Sequence, residues 1–401
     1  MARIAVVAGP DAGHALPALG VAAALHARGH AVRFFTGDGH DRTAATVGLR
    51  AERLPLLGPS PEDHDLGHRI WTRAASMAVP LAEMLRGWCP EVVVADTLTR
   101  CGAFAAQLLD IPWVELIPHH LDDPADDLPP VGLGRRPARS AIRRADDRRI
   151  VALQRRSLAL GAAQAATAVA GIGLTTVAPA RLRLIGTLPG LERPRRSWPA
   201  DAHVVGALAL DPELPPLAVP PDDLPLVVVT DSTATDVDRH LGSVAIRALA
   251  RTDLRLVVTS SLLPERQSHR VTVGRGPHAP LLARASLAVG FGGAGFMSKA
   301  AVAGVPMVVI PLQGDQREGA ARLRDAGAGR VLPLRSLSPT RLRWSVIRHL
   351  TDPDAPLAAR RLAAEAAELG PDLAARLVEG AIDGTAPEAS GPRCHLAGER
   401  A

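Results

Sequence analysis

The chain has no tyrosine, a single lysine (Lys299) and an aromatic fraction of only 2%. Its other side-chain cations are all arginine, apart from histidine, and much of its apolar content is Ala, Val and Leu. This pattern reads as codon bias rather than chemistry. Cysteine is scarce as well. Cys89, Cys101 and Cys394 are odd in number and far apart, which argues against a disulfide framework or a zinc cluster and fits a reducing, cytoplasmic setting. No run of about 18 uninterrupted apolar residues occurs, so no membrane span is expected. No internal repeat of about 20–50 residues is present. The opening M-A-R-I-A-V-V-A-G is followed by Pro10, Asp11 and His14, and reads as a first strand and loop rather than a signal peptide. A net charge of +5 and a pI near 10.1 would suit an anionic partner. The basic residues are spread, however, and no aromatic-interleaved basic motif occurs, so no nucleic-acid partner is expected.

What the chain does contain is apolar mass and a βα rhythm. Its 401 residues, 47% hydrophobic, suit two domains of ordinary size. Near the start, a strand over Ile4–Ala8, a loop from Gly9 to Leu16 and a helix from Pro17 to Ala27 are expected. A stop at Gly29-His30 and a strand Ala31–Phe35 follow, with Pro17 in a first helical turn and Gly29 as a C-terminal cap. Val92–Ala95, ending at Asp96, and Trp113–Leu116 read as further buried strands of a parallel sheet covered on both faces. Leu121–Arg136 reads as a long loop. Arg135–Arg156 holds nine arginines in 22 residues, interleaved with Asp146 and Asp147. It is either a solvated helix or a surface that docks on anionic lipid head groups. A Pro-rich linker separates a second sheet that begins at Leu226–Val229. The expected division is 1–211, linker 212–224, 225–384, and a disordered tail 385–401.

The densest signal lies between Pro277 and Arg330. A strand Ser286–Val289, a glycine turn Gly290–Gly295, a helix Met297–Ala303 and a strand Val305–Ile310 ending in Gly314-Asp315-Gln316 form one βαβ unit. Its turn aims backbone N–H groups and a helix N-terminus at one point, an arrangement suited to anions. Asp315 and Gln316 stand at the carboxyl end of the next strand, where open α/β sheets bind ligands. This stretch resembles the donor half of nucleotide-sugar glycosyltransferases with the two-domain GT-B fold, most of all the type that glycosylates macrolides and related natural products. The residues that carry the resemblance are Pro277-His278, Gly292-Gly293-Ala294-Gly295, Gly304-Val305-Pro306, Pro311 and Gly314-Asp315-Gln316. The resemblance covers about residues 1–370 and implies an α/β chain with two Rossmann-like parallel-sheet domains facing a cleft. Three positions depart from it: Phe291 replaces the family's His, Phe296 its Thr or Ser, and Lys299 its Glu. Gly319 also stands where the family usually has Asn.

The resemblance implies roles for particular residues. The family's base is the His of a Gly-His-x-x-Pro, which lands on His14. Read from the residues alone, His14 is either a proton acceptor for a substrate hydroxyl or a solvated loop or capping residue. The family's partner Asp lands on Asp96, which could equally be an N-cap. Ser232 and Thr233, in T-D-S-T-A, either hold a β-phosphate or cap a helix from about Asp236. His278 falls in the base-and-ribose segment, with no large aromatic just before it. Gly292, Gly293, Ala294 and Gly295 cradle phosphate through backbone N–H groups. Loss of the family's histidine at Phe291 removes a charge-assisted hydrogen bond of roughly 1.5–3 kcal/mol. Lys299 either offsets that loss by contacting phosphate or lies on a solvated helix face. Phe291 and Phe296 are expected to make the mouth of the site more apolar. Asp315 and Gln316 hold sugar hydroxyls by resemblance, although Gln316 also suits a helix start. Asp352-Pro353-Asp354 has metal-motif spacing but reads as a helix boundary. The family requires no metal, and no cofactor is expected beyond the nucleoside-diphosphate sugar as co-substrate. The acceptor is expected to be an apolar hydroxylated molecule against Trp71, Trp113 and His119, with Met77, Met84 and Trp88 nearby. The implied reaction is inverting sugar transfer to a hydroxyl. The alternatives are a GT-B-like binding or regulatory protein that has lost donor use, and a membrane-associated lipid glycosyltransferase using the Arg135–Arg156 region. The sequence does not determine the oligomeric state.

Overall fold

A computed structural model describes residues 1–56, 67–231 and 241–385. The chain divides into two compact units. The first is Met1–Pro130, Pro137–Leu210 and Leu369–Ala401; the second is Val131–Arg136 and Asp211–Glu368.

The first unit is built on β1 (Arg3–Val7), β2 (Ala31–Thr36), β3 (Ala51–Arg53), β4 (Val92–Asp96), β5 (Trp113–Ile117), β6 (Arg183–Ile185) and β7 (Ala202–Val204). They lie in the order β3-β2-β1-β4-β5-β6-β7, with every neighbouring pair parallel. The central strands are buried along nearly their whole length, as apolar runs of this kind must be when helices cover both sheet faces. The helices are α1 (Ala12–Ala27), α2 (Asp41–Thr46), α3 (Arg73–Arg86), α4 (Cys101–Leu108) and the 30-residue α5 (Ala141–Ala170).

The second unit repeats the plan. Its strands are β8 (Leu226–Thr230), β9 (Arg255–Thr259), β10 (Arg266–Gln267), β11 (Val271–Gly274), β12 (Leu287–Gly290), β13 (Met307–Val309) and β14 (Gly329–Val331). Their order is β10-β11-β9-β8-β12-β13-β14, and only the short edge pair β10–β11 is antiparallel. Its helices are α6 (Leu241–Leu249), α7 (Ala279–Leu282), α8 (Ala294–Val302), α9 (Gly314–Asp325), α10 (Pro339–Leu350) and α11 (Asp354–Glu365). The chain thus carries two Rossmann-like parallel sheets.

Two boundaries differ from expectation. The helix predicted from Pro17 starts at Ala12, because the Asp11 carbonyl accepts the N–H groups of His14 and Ala15 at 2.8 and 2.9 Å. Pro17 lies inside the helix and forfeits the bond its missing N–H would make to Gly13. The last helix, α12 (Pro371–Asp383), belongs to the first unit rather than to a 225–384 domain. Its Ala374, Ala375, Leu377, Val378 and Ala381 join the core under β1. Glu379 receives two hydrogen bonds from Arg28 and one from His30 Nε2, each of 2.8 Å. The Arg28 and His30 contacts hold the Glu379 carboxyl down at about 2. Among the described residues no helix is long and apolar enough to cross a membrane.

Candidate active site

In the first unit, β1 and β4 are adjacent and parallel, with Val7 beside Ala95. Asp96 closes β4, and the loop after β1 turns directly into α1. This brings His14, in the first turn of α1, onto Asp96: His14 Nδ1 and Asp96 Oδ1 are 2.7 Å apart. Asp96 Oδ2 accepts the Leu98 N–H at 3.0 Å and the Thr99 hydroxyl at 3.1 Å. Its side chain is fully buried, whereas that of His14 is 19% exposed. The helix after β4 starts at Cys101 with Arg100 as its cap, so Asp96 does not cap it. With Nδ1–H donated to a carboxylate, the lone pair of the neutral ring lies on Nε2. The pair is a base backed by a third group that fixes its tautomer and would stabilise the imidazolium.

The acceptor candidates separate. Trp71 is half-buried beneath the Arg100 guanidinium, 5.6 Å from the ring centroid. Trp88 is likewise half-buried, with Arg33 5.5 Å from its ring. His119 follows the carboxyl end of β5 and donates from Nδ1 to the His120 carbonyl at 2.8 Å. Trp113 does not offer its ring to a ligand. It is 6% exposed, packed in the core, and its Nε1–H is given to the Ala178 carbonyl at 3.2 Å. The reason is its place on a central strand with both faces covered. Met77 is core too, while Met84 is exposed.

In the second unit the glycine turn follows β12. Gly292 has φ +86°, and a Cβ there would lie 2.7 Å from Val309 Cγ1; glycine is required on both counts. Gly293 caps α8, whose first N–H groups, from Ala294 and Gly295 onward, have no intrahelical partner. Phe291 lies in the core cluster and is 5% exposed, so it does not line the mouth as expected. Phe296 is buried as well, with its ring edge-on to His278 at 4.9 Å.

Sequence reasoning missed the partners of His278. Its Nε2 is 2.9 Å from Thr259 Oγ1 and 3.5 Å from Thr230 Oγ1. Those hydroxyls end β9 and β8, two neighbouring strands that both finish in Val-Val-Thr and pair Thr230 with Thr259; that repeated ending was the available signal. The other missed residue is Asp211, at the head of the Pro-rich segment. It accepts the N–H groups of His278 (3.1 Å) and Ala279 (2.7 Å) and the Lys299 ammonium (2.6 Å). Burial alone would raise the Asp211 carboxyl, but Lys299 and the backbone donors outweigh it and hold it below its ordinary range. Burial lowers Lys299 from its ordinary value, with Asp211 opposing. The two directions differ over the stability of the charged pair. The 2.6 Å contact, with two further donors on the carboxylate, favours the ion pair. Burial, then the Lys299 charge, pushes the His278 imidazole down to about 4, so the ring is neutral near pH 7. Lys299, read as a phosphate ligand or a solvated side chain, is in fact engaged by Asp211.

Gln316 accepts the Leu312 N–H through Oε1 at 3.0 Å and so helps start α9, while Asp315 is exposed in its first turn. A side chain at Gly319 would meet Met297 Cε at 2.7 Å, the flexible end of that side chain. Asp352 Oδ1 accepts the Asp354 N–H at the start of α11, a helix boundary. Among the described residues no group of three metal-ligating side chains occurs. Ser232 and Thr233 lie outside the described residues. The arginines of α5 are largely exposed, and Arg155 pairs with Asp126 at 2.8 Å.

Residues 244–378 match the family described as Erythromycin biosynthesis protein CIII-like, C-terminal domain. The whole chain is similar to 4'-demethylrebeccamycin synthase of Lentzea aerocolonigenes, 29% identical over 94% of this chain and 96% of that protein. The chain is thus similar to natural-product glycosyltransferases along nearly its whole length. Solved glycosyltransferases share the fold. The glycotransferase of kitacinnamycin superposes with a TM-score of 0.72 at 22% identity, covering 95% of this chain and 99% of that one. SsfS6 of Streptomyces sp. SF2575, complexed with thymidine diphosphate, superposes with a TM-score of 0.65 at 21% identity, covering 94% and 99%. Open α/β sheets bind ligands at the carboxyl ends of their strands, where the His14–Asp96 pair and the His278 cluster each stand.

Proposed function

We propose that this glycosyltransferase moves a sugar from a nucleoside diphosphate to a hydroxyl of an apolar natural product, with inversion at the anomeric carbon. The observation that carries the reading is the 2.7 Å contact between His14 Nδ1 and Asp96 Oδ1. His14 Nε2 takes the proton of the acceptor hydroxyl as its oxygen forms the new bond to the anomeric carbon. The bond to the diphosphate oxygen breaks on the opposite face. Asp96 stabilises the imidazolium. The Gly292–Gly295 backbone and the α8 N-terminus stabilise the charge that grows on the leaving diphosphate, an electrostatic effect of the oxyanion-hole kind. Asp315 and Gln316 hold the sugar, and Trp71 and His119 contribute to the acceptor wall. No metal takes part in these steps. Similarity to the rebeccamycin enzyme and to the thymidine diphosphate complex supports the substrate classes.

The test is a titration with UDP and dTDP, followed by donor and polyketide-acceptor screening by mass spectrometry and assignment of the product anomer by NMR. Sub-millimolar nucleotide binding and an inverted product are expected; a retained configuration would overturn the mechanism. A second reading, a binding protein without transfer, is favoured by one observation: the Lys299 charge expected to serve phosphate is held by Asp211. No nucleotide binding below millimolar, with a folded chain, would establish it instead.

A further inference from the structure

The second unit contains a cavity of about 510 Å³ beside α9. One wall is the short segment Val131–Arg136, which packs with the second unit although its flanking residues belong to the first. Gly134 permits this packing: it has φ +61°, and a Cβ there would lie 2.7 Å from the Arg317 carbonyl. The rest of the wall is the outer face of α9 and the turn after β14.

The lining has a distinct chemistry. Arg317, Arg324 and Arg335 line it, and no lining residue is acidic. Asp325, the nearby carboxylate, is bound by Arg324 at 2.8 Å and approached by Arg136 at 3.9 Å. Among the described residues the Arg317 side chain donates only to the Leu312 carbonyl, at 3.1 Å, and the Arg335 side chain makes no hydrogen bond or ion pair. The remaining surface is apolar, chiefly Leu133, Val331 and Leu334. A neutral apolar ligand would engage neither guanidinium, and a bare inorganic anion would leave the apolar wall uncovered. Arginine's planar fork suits carboxylate or phosphate.

We propose that this cavity binds an acidic apolar molecule, whose carboxylate or phosphate is held by Arg317 and Arg335 and whose apolar body covers Leu133, Val331 and Leu334. The cavity adjoins the Gly314-Asp315-Gln316 segment, which Pro311, Leu312 and Arg317 flank, but the proposal does not rest on the transfer reaction. The full chain is titrated calorimetrically at fixed ionic strength with octanoate, octyl phosphate, octanol and inorganic phosphate, with dTDP present to occupy the donor cradle. At least one of the two acids is expected to bind, with octanol and inorganic phosphate weaker by about tenfold or more. Whichever acid binds tighter names the head group. Arg335→Gln and Arg317→Gln should each weaken that acid by about tenfold, and Leu334→Asp should weaken it further. Melting curves of the variants confirm that they fold. Equal binding of octanol, absence of acid binding, or acid binding unchanged in the Arg317→Gln/Arg335→Gln double variant would overturn the proposal. dTDP binding unchanged in that variant separates this site from the donor site.

Discussion

Each unit places one histidine and one aspartate together at the carboxyl ends of a parallel sheet, and the two pairs do different things. In the first unit the aspartate bonds the ring: Asp96 takes Nδ1 of His14, whose side chain keeps some exposure. In the second, Asp211 bonds the backbone N–H of His278 and the Lys299 ammonium, while the ring turns to threonine hydroxyls beneath Phe296. The first arrangement supports a proton acceptor. The second holds a neutral imidazole in a half-buried cluster. Which atom of the histidine the carboxylate touches, rather than the residue types, separates the two roles.

The largest effect that could break this contrast is on stability. Asp211→Ala removes the carboxylate beside the buried Lys299 and two backbone acceptor contacts. It should cost about 3 kcal/mol in chemical denaturation, at the lower end for breaking a buried pair. Asp211→Ala/Lys299→Met should recover much of that loss. If Asp211→Ala unfolds at the wild-type midpoint, the cluster is not a structural lock.

Next is catalysis. His14→Ala should lower kcat by a factor of at least about 100 with little change in melting temperature. Asp96→Asn should lower it as well, because an amide can present N–H to Nδ1 and reverse the tautomer. Near-wild-type turnover in His14→Ala would remove the base assignment.

A third effect depends on pH and is small near neutrality. His278 titrates near 4 in the fold, below its ordinary 6.5. The unfolded chain therefore takes up a proton that the folded chain refuses. Stability should fall as pH drops from about 6.5 toward about 4, by up to about 1.4 kcal/mol per unit. Urea midpoints at several pH values should show a shallower slope for His278→Gln, and an unchanged slope would contradict its burial as a neutral ring. The smallest effect is expected away from both pairs. Glu379 titrates at about 2 in the fold, so its contribution is present above the ordinary glutamate range and lost as pH falls toward 2. Glu379→Gln should lower the melting temperature slightly at pH 7, with the difference vanishing near that acid limit.

Much of the frame was legible in the residues. The strands ending at Asp96 and Thr230 declared themselves as apolar runs, and Gly-His-x-x-Pro with V-V-V-A-D pointed to His14 and Asp96 before their contact was seen. The donor side was harder to read. Phe291 and Phe296 looked like a changed mouth, yet both are interior, because a turn residue's side chain can point into the core as readily as toward a ligand. Asp211 looked like the end of the first domain, and its importance comes from His278 and Lys299, which are distant in sequence. The last helix looked like part of the second domain because it continues that stretch of sequence. Its apolar face fits the first core, and Glu379 meets Arg28 and His30 there.

By itself, then, the sequence determined the parallel α/β architecture, through runs and turns whose physics is local, while its resemblance to a known family singled out the two residues of the first pair. Only the tertiary structure decided which side chains of the second unit are buried, what engages Lys299, and where the chain's last helix belongs. Those outcomes depend on packing and charge pairing between residues far apart in the chain, which no local pattern encodes.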